Sequence, residues 1–179
     1  MFNFLTCRQR LCQSISLLLL ILLSAHASAQ DPKLFPRPTA LEPAIRFWTR
    51  IYTEVDSDSG FLHDANNLGI IYKTVSDDRR EIEQQRKRVQ QDLKVLATGK
   101  RTDLTGHQQM LMEAFPAGVS NELLAAAADN IRFQLGQADR FVAGLIRSGA
   151  YRDHIEQVTR ERNLPRELAA LPHVESSFH

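Results

Sequence analysis

The chain of 179 residues has two cysteines, Cys7 and Cys12, and none after them. Both lie in a leading segment with the marks of removal, so the remaining chain is expected to form no disulfide and no thiolate metal site. Charge of one sign is also lacking, since 22 Lys plus Arg stand against 21 Asp plus Glu. That balance argues against a strongly basic nucleic-acid binder, and 43% apolar with 24% charged residues argues against a disordered tail or a polytopic membrane protein. One long apolar run is present, residues 15–23, roughly half of the 18 to 20 apolar residues a membrane-spanning helix needs. No G-x-G-x-x-G, G-x-S-x-G or H-E-x-x-H occurs, which leaves out a dinucleotide loop, a nucleophile elbow and a helical zinc protease.

The leading segment is a secretory signal by its composition. Its 29 residues contain no acid; Arg8 and Arg10 give the positive end, residues 15–23 the apolar stretch, and Ala27-Ser28-Ala29 a small-residue cleavage site. The expected mature chain starts at Gln30, and without the two arginines it carries 20 basic and 21 acidic residues. Both cysteines precede the apolar run, so a lipoprotein signal is not supported. The expected location is the periplasm or cell envelope, with peripheral envelope association compatible with it.

Beyond the signal the reading is mainly α. Four prolines, at 32, 36, 38 and 43, mark residues 30–43 as an extended leader. From Pro43 onward Leu41, Ile45, Trp48, Tyr52 and Val55 recur at intervals of four and three, the mark of one helix face. On that spacing the aromatics Phe47, Trp48 and Tyr52 are expected in a core. Turn residues at 56–60 break the helix, and residues 68–75 fit either a strand or a buried helical turn. A long charged helix is expected over residues 76–98, opened by Ser76-Asp77-Asp78 and stopped at Gly99, with Ile82, Val89, Leu93 and Leu96 as one narrow packed edge. Further helices are expected at 120–133, 138–147, 151–162 and from Pro165 to the end. The organisation is therefore a signal over residues 1–29, a leader over 30–43, a helical region over 44–163 and a distinct segment over 164–179.

The last segment carries the chemistry. At about 100° per residue Glu175 falls roughly 20° from Leu168 and one turn from Leu171, so its carboxyl is expected over an apolar stripe. Desolvation of that kind raises a carboxyl pKa, as a general acid working near neutrality requires. Pro172 removes a backbone donor and is expected to bend or end the helix just before Glu175.

The run Leu164-Pro165-x-Glu167-Leu168-x-x-Leu171-Pro172-x-Val174-Glu175-Ser176-Ser177-Phe178 resembles the start of the catalytic domain of lytic murein transglycosylases, the soluble-lytic-transglycosylase type within the goose-lysozyme-like fold. It looks most like the membrane-bound lytic murein transglycosylase D subgroup. Ile131-Arg132-Phe133-Gln134-Leu135-Gly136-Gln137 and Gly144-Leu145-Ile146-Arg147-Ser148-Gly149 resemble the helical lead-in of that subgroup, as does Phe47-Trp48-x-Arg50-Ile51-Tyr52-Thr53-Glu54 less specifically. The resemblance implies that Glu175 is the single catalytic acid/base. In that family such a residue protonates the glycosidic oxygen between N-acetylmuramic acid and N-acetylglucosamine, then takes the proton of the muramoyl 6-hydroxyl as a 1,6-anhydro ring closes. Most glycosidases use two carboxylates, but substrate-assisted ones dispense with one. Glu167, roughly 80° around the helix, would be a poor second carboxylate. Ser176 and Ser177 match the polar and small positions; helix-end hydrogen bonding is the first reading of each and contact with substrate hydroxyls the second. The family pattern continues with Ser-x-x-Gly-Ala-x-Gly-x-Trp-Gln and several helices, absent after His179. The expectation is an incomplete catalytic domain, inactive as this chain alone.

The competing readings are weaker. His154-Ile155-Glu156 and His173-Val174-Glu175 spell H-x-E, but a zinc deaminase also needs Pro-Cys-x-x-Cys. His63, His107, His154 and His173 are scattered, so no metal and no cofactor is expected. The expected partner is the peptidoglycan glycan strand, not nucleic acid. The alternative function class is a non-enzymatic helical envelope module binding peptidoglycan or a protein through the 79–88 helix and the Phe47-Trp48-Tyr52 surface.

Overall fold

The computed structural model describes residues 34–178. The expected signal peptide, the start of the leader and His179 lie outside the described residues. Contacts divide the chain after Pro36, and the elements below belong to the unit that begins at Arg37.

The unit is mainly helical, as expected, with a small sheet at its centre. A 3-10 turn, Thr39–Leu41, leads into α1, Glu42–Thr53, which takes Pro43 in its first turn, where a missing N–H costs no helical hydrogen bond. β1, Ser59–Asp64, and β2, Ile71–Ser76, form an antiparallel hairpin. The long helix α2, Arg79–Ala97, follows, then α3, Gly106–Glu113, and α4, Asn121–Asp129. β3, Ile131–Leu135, returns to the other side of β1, so the strand order is β2-β1-β3. Three helices close the described chain: α5, Ala138–Ser148, α6, Arg152–Glu161, and α7, Leu171–Glu175, with a 3-10 stretch, Arg166–Ala170, before the last.

The helix boundaries follow from local chemistry. Asp78 caps α2 by accepting from the Glu81 N–H at 2.8 Å, and Gly99, at φ 96°, takes the left-handed conformation just after it. Thr105 and Gln108 form a reciprocal capping box on α3, and Ser120 caps α4. Val89, Leu93 and Leu96 are buried along one edge of α2, with Ile82 half-buried at its start, as the spacing predicts.

The sheet divides the core in two. On one face Leu62 packs with Val75, Leu93, Leu96, Leu111 and Leu124. On the other, Phe61 packs with Phe47, Ile51 and Val55. Alternate side chains of a strand point to opposite faces, so β1, buried along Gly60–Asp64, serves both layers.

Five expectations need correction. The region over 44–163 is not all helical: β1, β2 and β3 lie within it, and the open choice at 68–75 resolves to a strand from Ile71. The helix expected to reach Phe133 ends at Asp129, because Ile131, Phe133 and Leu135 alternate with polar residues and pair with β1. The buried face of α1 is Phe47, Ile51 and Val55, a register beside the one expected; Leu41 is exposed, and Trp48 is 41% exposed, while Tyr52 is half-buried against the Phe141 ring at 5.5 Å. The segment from Pro165 is not one helix but a 3-10 turn followed by five α-helical residues. Pro172 cannot donate a backbone hydrogen bond and sits in the first turn of α7, so it starts that helix rather than bending it before Glu175. Among the described residues no helix is long and apolar enough to cross a membrane.

Candidate active site at the carboxyl-terminal motif

The motif is built on a sharp exit from α6. Asn163 takes φ 50°, a left-handed value that asparagine tolerates, and the Leu164 N–H returns to the Thr159 carbonyl at 2.9 Å. Pro165 is extended and directs the chain into the 3-10 turn. α7 then ends at Glu175, and Ser177 and Phe178 both have positive φ, 49° and 59°.

This strained turn is held by α5. Arg147 donates from Nε and Nη2 to the Ser177 carbonyl at 3.1 and 2.8 Å. A Cβ on Gly144 would come within 3.3 Å of the Ser177 Cβ and carbonyl oxygen, so glycine lets the two segments approach. Phe178 stacks on Tyr151 with ring centroids 5.8 Å apart and meets His173 edge-on at 4.7 Å. His173 in turn faces Phe141 at 6.0 Å. Gly144 and Arg147 were legible only as part of a lead-in pattern; their positioning of the turn follows from contacts between residues thirty apart.

Glu175 is exposed at the end of α7, and its carboxylate accepts no hydrogen bond from the described residues. The apolar cover expected for it is missing: Leu171 is 51% and Val174 59% exposed, and Leu168 is only half-buried. The 3-10 stretch advances the chain by about 120° per residue in place of 100°, so the stripe drawn for one α-helix does not form. Ser176 and Ser177 behave as helix-end groups. Their hydroxyls lie 3.3 Å from the Pro172 and His173 carbonyls, and Ser176 Oγ also accepts from the Phe178 N–H at 3.2 Å.

Beside the motif lies a groove of about 540 Å³, lined by Leu145, Arg152, Ile155, Glu167, His173 and Phe178 among others. Glu175 is not part of its lining, whereas Glu167 is, with Arg166 Nε 3.8 Å from its carboxylate. The two motif carboxylates thus occupy different surroundings, one in the groove and one in open solvent.

A second polar cluster, unforeseen from the sequence, closes the turn between β1 and β2. Asp64 is buried; its Oδ1 accepts from the Asn66 and Asn67 N–H groups at 2.7 and 2.9 Å, and its Oδ2 from the Tyr72 hydroxyl at 3.0 Å. Burial, with the neighbouring carboxylate, pushes the Tyr72 phenol far up, so it remains a donor. His63, adjacent and buried against Phe47, is pushed below the usual imidazole range by desolvation, opposed in part by its contact with the Asp64 carbonyl. Every acceptor of this aspartate has a donor from the fold, which marks the cluster as a structural clasp.

The histidines are dispersed: His107 Nδ1 meets Asp92 at 2.6 Å in a network shared with Gln108, His154 is exposed, and His173 is set among rings. Among the described residues no three His, Asp or Glu side chains are grouped to hold a metal ion. Comparison of the chain with models of known protein families, with curated proteins and with solved structures finds no match.

Proposed function

We propose that this chain belongs to a peptidoglycan lytic transglycosylase and that Glu175 is its acid/base. The observation that carries the reading is the ordered motif from Leu164 to Phe178, which carries a solvent-facing carboxyl, without a hydrogen-bond partner among the described residues, at a helix terminus anchored by Arg147 and Gly144. A carboxyl with no fixed partner is available to donate to and accept from a substrate, which an ion-paired one is not.

In the proposed reaction protonated Glu175 gives its proton to the oxygen linking N-acetylmuramic acid to N-acetylglucosamine, and the bond from C1 to that oxygen breaks. The muramoyl 6-hydroxyl oxygen then bonds to C1, and its proton passes to the Glu175 carboxylate. Proton and charge return to the starting state, no water is consumed, and the products are a free 4-hydroxyl and a 1,6-anhydro ring.

The test uses the full gene product and purified sacculi, with soluble fragments analysed by mass spectrometry. Wild-type protein is expected to release muropeptides with 1,6-anhydro ends, and Glu175→Gln to lower the rate by about 100-fold or more, the scale of a lost general acid/base. Undiminished release by the variant, or products with reducing ends, would overturn the assignment.

A further inference from the structure

We infer that the outer face of α2 is a docking surface for a carboxylate-bearing polymer, which holds the protein on its substrate away from the reacting bond. Naming peptidoglycan as that polymer rests on the transglycosylase reading; the surface itself rests on charge and geometry.

α2 carries six cations and three acids, and two of the acids are turned toward neighbouring elements while Glu83 lies on the outer face among the cations. Glu81 and Asp92 are engaged by residues outside the helix, whereas Glu83 is met only by cations of α2 itself and offsets part of their charge. Glu81 accepts from the Ser76 hydroxyl, Asp92 accepts from Gln108 and meets His107, and Glu83 pairs with Arg86 at 3.1 Å and Lys87 at 3.5 Å. Among the cations, Arg79, Arg80, Arg88 and Lys94 are exposed and have no partner among the described residues.

The arrangement is linear. Arg80, Lys87 and Lys94 recur every seven residues, so they lie about 10 Å apart along the axis and drift by only roughly 20° from one to the next. Arg79 and Arg88 flank this line on opposite sides. The apolar edge of the same helix is spent in the core through Val89, Leu93 and Leu96, so no apolar face is left for insertion between lipid chains. The wide interval also differs from a nucleic-acid strand, whose phosphates recur about every 3.4 Å. A polymer with single carboxylates at intervals fits the spacing, and the guanidinium groups offer forked donors matched to carboxylates.

The test is co-sedimentation of the full gene product with purified sacculi in low salt, performed in the Glu175→Gln background so that cleavage does not release the sacculi. Replacing Arg80, Lys87 and Lys94 together by Gln is expected to weaken binding at least tenfold. The substituted positions are on the helix surface, and an unchanged circular-dichroism melt verifies folding. A matched triple, Arg140, Arg160 and Arg162 to Gln, is expected to change binding less than twofold. Sacculi whose carboxylates have been capped as neutral amides are expected to bind no better than the triple variant binds native ones. Equal loss in both triples, unaltered binding to capped sacculi, or tighter binding to vesicles containing phosphatidylglycerol than to sacculi would overturn the inference. The two proposals fail separately: loss of binding without any anhydro product from Glu175-intact protein would remove the catalytic reading alone, and anhydro release with α2-independent binding would remove this one alone.

Discussion

Gly136, at the junction of β3 and α5, gives the sharpest test of how the fold is joined. Its N–H donates to the Ser59 carbonyl at 2.9 Å, and the next two N–H groups, of Gln137 and Ala138, donate to Ile51 and Val55, each at 2.9 Å. A Cβ at this position would overlap the Val55 and Asp56 carbonyl oxygens. Those are backbone atoms and cannot rotate aside, so Gly136→Ala must move the strand end and stretch one or two of the three hydrogen bonds. Overpacking costs about 1–3 kcal/mol and each weakened hydrogen bond about 1 kcal/mol, which together give a loss of about 3 kcal/mol. For a unit of this size that is a fall in Tm of about 6–12 °C. Gly106 supplies the control: it opens α3, a Cβ there meets nothing within 4 Å, and alanine is expected to stabilise by about 0.5–1 kcal/mol. Urea unfolding followed by circular dichroism reads both. A Gly136→Ala protein melting within about 2 °C of wild type would refute the close-contact reasoning.

Two further predictions concern the clasp under the hairpin turn. Tyr72→Phe removes a hydroxyl from the buried Asp64 carboxylate and leaves the two backbone donors, so urea denaturation is expected to show a loss of about 2 kcal/mol, the scale of a hydrogen bond to a charged group; a loss below about 0.5 kcal/mol would contradict the clasp. Because the folded pKa of His63 is lowered, the unfolded state binds more protons than the folded one below about pH 6.5. The stability held by neutral His63 is fully present above that value and is lost as pH falls from it toward the folded pKa. His63→Asn is therefore expected to melt lower than wild type at pH 7.5 but with a shallower decline between pH 7 and pH 5, and a parallel decline in a thermal-melt series would exclude this assignment.

How much the sequence reveals differs by element, for physical reasons. α2 was legible to within three residues at its start and one at its end because its cap, its apolar edge and its terminal glycine agree, although Ser76, expected to open it, is the last residue of β2. β3 was hidden because it begins one residue after an Ala-rich helix, and five alternating residues contribute little against a helical context. β1 begins among the Asp, Ser and Gly residues of a turn, where Gly60 looks like a break. Gly60 is required instead by the sheet, since a Cβ there would meet the Phe133 ring at 2.6 Å. The face of α1 lies one register aside from the Leu41, Ile45, Trp48, Tyr52 spacing because a second apolar series, Phe47, Ile51 and Val55, runs beside it at helical intervals, and the sheet takes that one. At the carboxyl-terminal motif, spacing located Glu175 on an imagined continuous helix, and the change of pitch before Leu171 moved it into solvent.

The order of strands also sets an order of assembly. β1 can meet β2 across a short turn, but it meets β3 only after α2, α3 and α4 have been made, as Asp64 pairs with Ile131. Closing that longer loop costs roughly 2 kcal/mol more than closing the hairpin, and contacts distant along the chain form late. During the interval β1 presents a row of open backbone donors and acceptors, the kind of edge to which a second unfinished chain can add. Any polypeptide cut before Leu135 would keep that edge permanently, so aggregation, more than simple loss of stability, is the expected fate of such a piece.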